Sequence, residues 1–141
     1  MKSKLLVAAS LLAISVTASA MPAKPKACPS ASALHDVGLS REIVVRNDRD
    51  QTWIVGHLRD NYGTKNDWSF LVANVQADDE DDAYNKANES LNSLSFAQGP
   101  VALEQISKWA CVYNTSEGYL AVSVTPAFDG ANVGNVTSYF K

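Results

Sequence analysis

The sequence predicts an α+β fold of two layers, an antiparallel sheet of about five strands covered on one face by one long helix, plus a short N-terminal helix. Two observations carry this. The apolar run Trp68 to Gln76 meets an acidic stop, Asp78-Asp79-Glu80-Asp81-Asp82, and then a stripe of Tyr84, Ala87, Leu91 and Leu94. Stripe spacings of three, four and three residues fall on one side of a 3.6-residue helix. The remaining apolar runs are short, β-rich and separated by polar turns, which is the pattern of hairpins.

The N-terminal segment reads as an export signal, residues 1–20. Lys2 and Lys4 form a positive start, Leu5 to Val16 an apolar core, and Ala18-Ser19-Ala20 a cleavage site. Twelve residues are too few for a permanent bilayer anchor. Residues 21–141 then form a single domain with one core. Without Lys2 and Lys4 it holds 10 basic and 15 acidic residues, a net charge of −5. No basic cluster is present to neutralise phosphates, so neither nucleic acid nor an anionic membrane is expected as a partner, and no membrane insertion is expected.

Met21 to Ala27, with Pro22 and Pro25, reads as a loose arm. Pro29 to Gly38 reads as a short helix capped by Ser30 and ended by Gly38, with Leu34 and Val37 packed inward. Arg41 to Arg46 and Thr52 to Leu58 form a hairpin around Asn47-Asp48-Arg49-Asp50, and the polar loop Asn61 to Asp67 leads to the Trp68 strand. At the helix start, Asp78 or Asp79 can cap the orphan amides, and Asp82 and Lys86 stand at a favourable i,i+4 spacing. Ser93 to Gly99 is a connection, and Pro100 to Ile106 a turn of helix or a strand. Trp109 to Tyr113 and Tyr119 to Val124 form a second hairpin, and the tail beyond Pro126 is a late edge strand or an arm.

Cys28 and Cys111 are the two cysteines, 83 positions apart. In an exported chain a structural disulfide is the default; a metal pair or a reactive thiol are the alternatives, and no metal-ligand spacing supports the former. Enzyme signatures are missing: there is no Gly-rich phosphate loop, no nucleophile elbow and no zinc helix. The chain is therefore expected not to be an enzyme, and to hold no metal site and no catalytic cofactor. The acidic run is read as a solvated helix cap rather than a catalytic carboxylate pair.

His57 shares a strand face with Trp53 and Val55, by alternation. A histidine beside a tryptophan is either an ordinary strand histidine or a haem-iron ligand with an apolar wall. His35, in the last turn of the short helix, complements the helix dipole. Tyr62, in the polar loop, is an ordinary loop tyrosine or a phenolate ligand. Trp53, His57, Tyr62 and His35 make up the candidate ligand-binding set.

With these residues in view, the chain resembles the small secreted Legionella haemin-binding protein family, a domain of unknown function. The likeness runs over nearly the whole chain and rests on Cys28-Pro29-Ser30 after the signal and Asp67-Trp68-Ser69-Phe70 before the helix. It also rests on Trp109-Ala110-Cys111-Val112-Tyr113, Ser116-Glu117-Gly118-Tyr119 and Val124-Thr125-Pro126. The resemblance implies binding of extracellular haem and its capture for iron, in the periplasm or outside the cell. The alternative expectation is an exported interaction module that acts on a bacterial surface or host protein.

Overall fold

A computed structural model describes residues 20–130 and 132–140, so most of the expected export signal lies outside the described residues. Helix α1 spans Ala31–Val37, β1 Val44–Asn47, β2 Thr52–Asp60, β3 Trp68–Val75 and α2 Glu80–Ser90. Strands β4 Ser95–Leu103, β5 Lys108–Asn114 and β6 Leu120–Thr125 follow, and Val133–Tyr139 forms a 3-10 helix. The strands make one fully antiparallel sheet in the order β1-β2-β3-β6-β5-β4. Six strands are present rather than five, because Ser95 to Leu103, expected as a connection and then a turn of helix or a strand, pairs along β5.

The helix boundaries follow their caps. Ser30 Oγ accepts from Ala33 N at 3.1 Å and starts α1, and the Gly38 amide closes it on Leu34 O at 2.9 Å. Leu34 is fully buried, but Val37 is 41% exposed, since only one face of this short helix reaches the sheet. At α2, Asp79 accepts from Asp82 N at 2.8 Å while the Asp82 carboxylate accepts from Asp78 N at 3.0 Å. Asp82 thus ties down the residue before the cap, and it also pairs with Lys86 at 3.3 Å. The backbone bond from Asp78, helped by Lys86, holds the Asp82 carboxyl below the usual carboxylate range. Helix α2 stops at Ser90, short of Leu94, and a 3-10 turn over Leu91–Ser93 finishes it.

Both faces of the sheet are covered, which corrects the expected two layers. On one face α1 and α2 bring Leu34, Ala83, Ala87 and Leu91 against Val55, Phe70, Val72, Val75 and Tyr113. On the other face Phe128, Val133 and Val136 of the C-terminal segment pack on Ile54, Leu71, Ala73, Val122 and Val124. The tail is therefore neither an edge strand nor a free arm. Ser69 Oγ accepts from Phe128 N at 2.7 Å and Lys108 Nζ donates to Pro126 O at 2.7 Å, so polar contacts pin the start of this cover. Asn74 takes a left-handed φ of 66° on β3. The register shifts there between Trp53/Val75 and Val55/Val72, which returns Val75 to the face of Val72.

Candidate functional site

The four expected ligand residues differ in burial and in partners. Trp53 is 7% exposed, its Nε1 donates to Ala77 O at 3.0 Å, and the Arg46 guanidinium sits 5.7 Å from its ring centroid. This places Trp53 as a structural side chain rather than a platform. His57 is half-buried and stands opposite Phe70 in the ladder, so it shares the helix-side face. His35 is exposed at the far end of α1, where its Nε2 lies 3.0 Å from Asn92 Oδ1.

Tyr62 is 5% exposed, and its hydroxyl is the one buried side-chain polar atom without a hydrogen-bond partner among the described residues. Burial, with the Asp60 carboxylate nearby, pushes its phenol well above the ordinary value. Tyr113, whose hydroxyl donates to Pro29 O at 2.6 Å, is also pushed up by burial, to about 12. Both phenols favour the protonated state when folded. Stability is therefore complete below pH about 10 and declines as pH rises through the folded-state values. Replacing Tyr62 by Phe removes an unsatisfied buried hydroxyl and one of these phenols. The variant should gain about 1 kcal/mol or more in urea denaturation at neutral pH, and the gain should widen above pH 10. A loss of stability would mean that the hydroxyl has a partner in solution.

A different site is built by the N-terminal arm. Cys28 and Cys111 form the disulfide, with S–S 2.06 Å, and fasten the end of the arm to β5. Upstream, Trp109 Nε1 donates to Pro22 O at 2.9 Å and the Lys24 ammonium lies 5.9 Å from the same ring centroid. Pro25 and Pro29 are buried. The arm, expected to be loose, is thus held at both ends. Facing it, the β2–β3 loop is fixed by Thr64 Oγ1, which accepts from Trp68 Nε1 at 2.8 Å and donates to Asn61 O at 2.8 Å. Between arm and loop lies a cleft of about 350 Å³, walled mainly by carbon and lined by Lys24, Pro25, Lys26, Gly63 and Lys65 among others.

Three of the six lysines beyond residue 20 line this one cleft, in a segment whose net charge is −5. Two lie on the arm and the third is 39 positions away, so no local motif announces them. An apolar slot with lysines on its rim suits a flat or aliphatic anion, and its volume is within the usual small-molecule range of about 300–1,000 Å³.

The fold and cleft define a small disulfide-stapled α+β protein with a lysine-lined slot under its N-terminal arm. Residues 27–129 match a domain of unknown function, DUF4949, and the chain belongs to that family. No curated protein and no solved structure matches it. No helix among the described residues is long and apolar enough to cross a membrane.

Proposed function

We propose that the chain is an exported, non-enzymatic haem-binding protein that aids extracellular haem and iron capture. The observation that carries this reading is the arm–loop cleft: carbon walls for a macrocycle, and Lys24, Lys26 and Lys65 for its two carboxylates. The segments behind the family resemblance frame it. Cys28-Pro29-Ser30 anchors the arm, Asp67-Trp68-Ser69-Phe70 continues from the loop, and Trp109 to Tyr113 receives the arm. The disulfide fits an oxidising compartment and hence export.

Burying the flat ring supplies most of the affinity, and the rim lysines orient it. Of the expected iron ligands, burial opposes the phenolate that Tyr62 would need, which leaves His57, on the strand that feeds the loop, as the ligand to test. Haem carried for transfer functions with partial ligation or none. A haemin titration followed in the Soret band tests the reading, on wild type, Lys24→Gln/Lys26→Gln/Lys65→Gln, His57→Ala and Tyr62→Phe. Exposed ion pairs contribute about 0.2–1 kcal/mol each, so the triple variant should bind roughly tenfold more weakly. A wild-type protein that leaves the Soret band unmoved sinks the haem reading. An unchanged triple variant removes haem from this cleft.

The second reading, an exported interaction module acting on a bacterial surface or host protein, has one observation in its favour. The outer side of β4 is unpaired at the end of the sheet.

A further inference from the structure

A second cleft, of about 460 Å³, lies between the β1–β2 turn, the end of β3, the start of β6 and the C-terminal segment. Asp50, Thr52, Asn74 and Gln76 line it with polar groups. Leu120 and Phe140 supply carbon, and Phe140 is a half-buried ring packed on the core of that face. Among the described residues no lysine or arginine lines it, the reverse of the slot under the arm.

The backbone places these polar groups. The bulge at Asn74 turns Val75 back toward the helices and leaves Asn74 and Gln76, both exposed, on the side of the C-terminal segment. A glycine would take the φ of 66° without strain, whereas asparagine tolerates it and adds an amide. Asp50 is oriented as well. Its Oδ1 accepts from Thr52 N at 3.2 Å and from Thr52 Oγ1 at 2.6 Å, which leaves Oδ2 as an acceptor. Buried Val133 and Val136 hold the opposite wall to the sheet, and Phe140 N closes the 3-10 helix on Thr137 O at 3.2 Å.

The geometry points to this cleft as a binding site for a neutral sugar ring, a pyranose unit of a glycan. Each hydroxyl of such a ring both donates and accepts, which matches two amides that do both and a carboxylate oxygen that accepts. The C–H patch of the ring suits the negative face of an aromatic side chain such as Phe140. The lining disfavours other ligands. An anion finds no described cation here, and a hard metal ion finds one carboxylate where oxygen cages use several. An extended peptide needs a free strand edge, but β2, β3 and β6 are inner strands with neighbours on both sides. The site shares no lining residue with the arm–loop cleft, so it stands apart from the haem reading.

An NMR titration of isotope-labelled, oxidised residues 21–141 tests this. The probes are the methyl glycosides of glucose, galactose, mannose and N-acetylglucosamine, with a blocked neutral tripeptide as control. At least one glycoside should shift the Thr52, Asn74 and Gln76 resonances, with a dissociation constant on the order of millimolar. Asn74→Gly suits the left-handed backbone and removes one amide, so binding should weaken about fivefold. Phe140→Ala removes the ring and should weaken it at least as much. Unchanged resonances away from the cleft show that each variant is folded. Three results overturn the proposal: no glycoside moves these resonances at about 50 mM, the tripeptide alone moves them, or both variants bind sugar as well as wild type.

Discussion

Cys28→Ala/Cys111→Ala should lower the unfolding free energy by roughly 4.6 kcal/mol, the chain-entropy value for a closed loop of about 84 residues. Domains of this size are stable by about 5–15 kcal/mol, so the loss takes between a third and nearly all of what is available. The position of the link argues for a value near the full one. Cys111 is completely buried in the middle of β5, and the Cys28 side joins the arm and α1 to the sheet. Other contacts serve that junction, among them the bond from Tyr113 to Pro29 O at 2.6 Å and the packing of fully buried Leu34. A drop of less than about 2 kcal/mol in urea would mean that these hold α1 down without the covalent tie. The same variant tests the site. The arm that walls the cleft ends at Cys28, so the folded fraction should bind haemin more weakly than wild type. An unchanged affinity would show that Trp109 and Pro22 hold the wall unaided.

Much of this architecture is legible from local chemistry. Asp79 and Asp82 cap α2 because short acceptors stand beside orphan amides, an effect confined to a few residues. The cysteine pair follows from the expected compartment, since two thiols in an oxidising space have one partner each. The second cover over the sheet departs from expectation, although a signal for it exists. Trp68 to Ala73 and Leu120 to Val124 are nearly continuous apolar runs rather than alternating ones, and such runs mark strands buried on both faces. A sheet with one wet face would show polar residues at every second position. The expectation of a wet face also makes Trp53 and Tyr62 surface candidates, when the cover supplied by α2 and α1 encloses them. The cleft has no signature in the sequence at all. Lys24, Lys26 and Lys65 line one cleft because Trp109 captures Pro22 and the disulfide fixes Cys28, and both contacts reach across more than 80 positions.

Gly99→Ala should cost about 2–4 kcal/mol, because two separate penalties meet at this position. Gly99 holds a φ of +136°, which an alanine adopts only with strain. Its added Cβ would also stand 2.8 Å from Cys111 Cα and 2.9 Å from Ala110 O, both backbone atoms that side-chain rotation cannot move aside. Two comparisons separate the terms. Gly118 has a φ of +79° with nothing within 4 Å of an added methyl, so Gly118→Ala carries the conformational term alone, about 1 kcal/mol. Gly56 lies in β2 without the positive φ, and its Cβ would meet Leu71 Cδ2 at 2.4 Å and Phe70 O at 2.8 Å. Gly56→Ala therefore carries the steric term, about 1–3 kcal/mol. The sum of the two should approach the Gly99 value if β4 stays docked. Because β4 is an edge strand, the alternative is that it peels away from β5 and relieves both penalties at once. Urea denaturation separates these outcomes. A Gly99→Ala cost well below the sum, with a reduced denaturant slope, would show that the β4 edge detaches before the rest of the sheet. A cost equal to the sum, with an unchanged slope, would make β4 part of the cooperative unit and its outer edge a fixed surface.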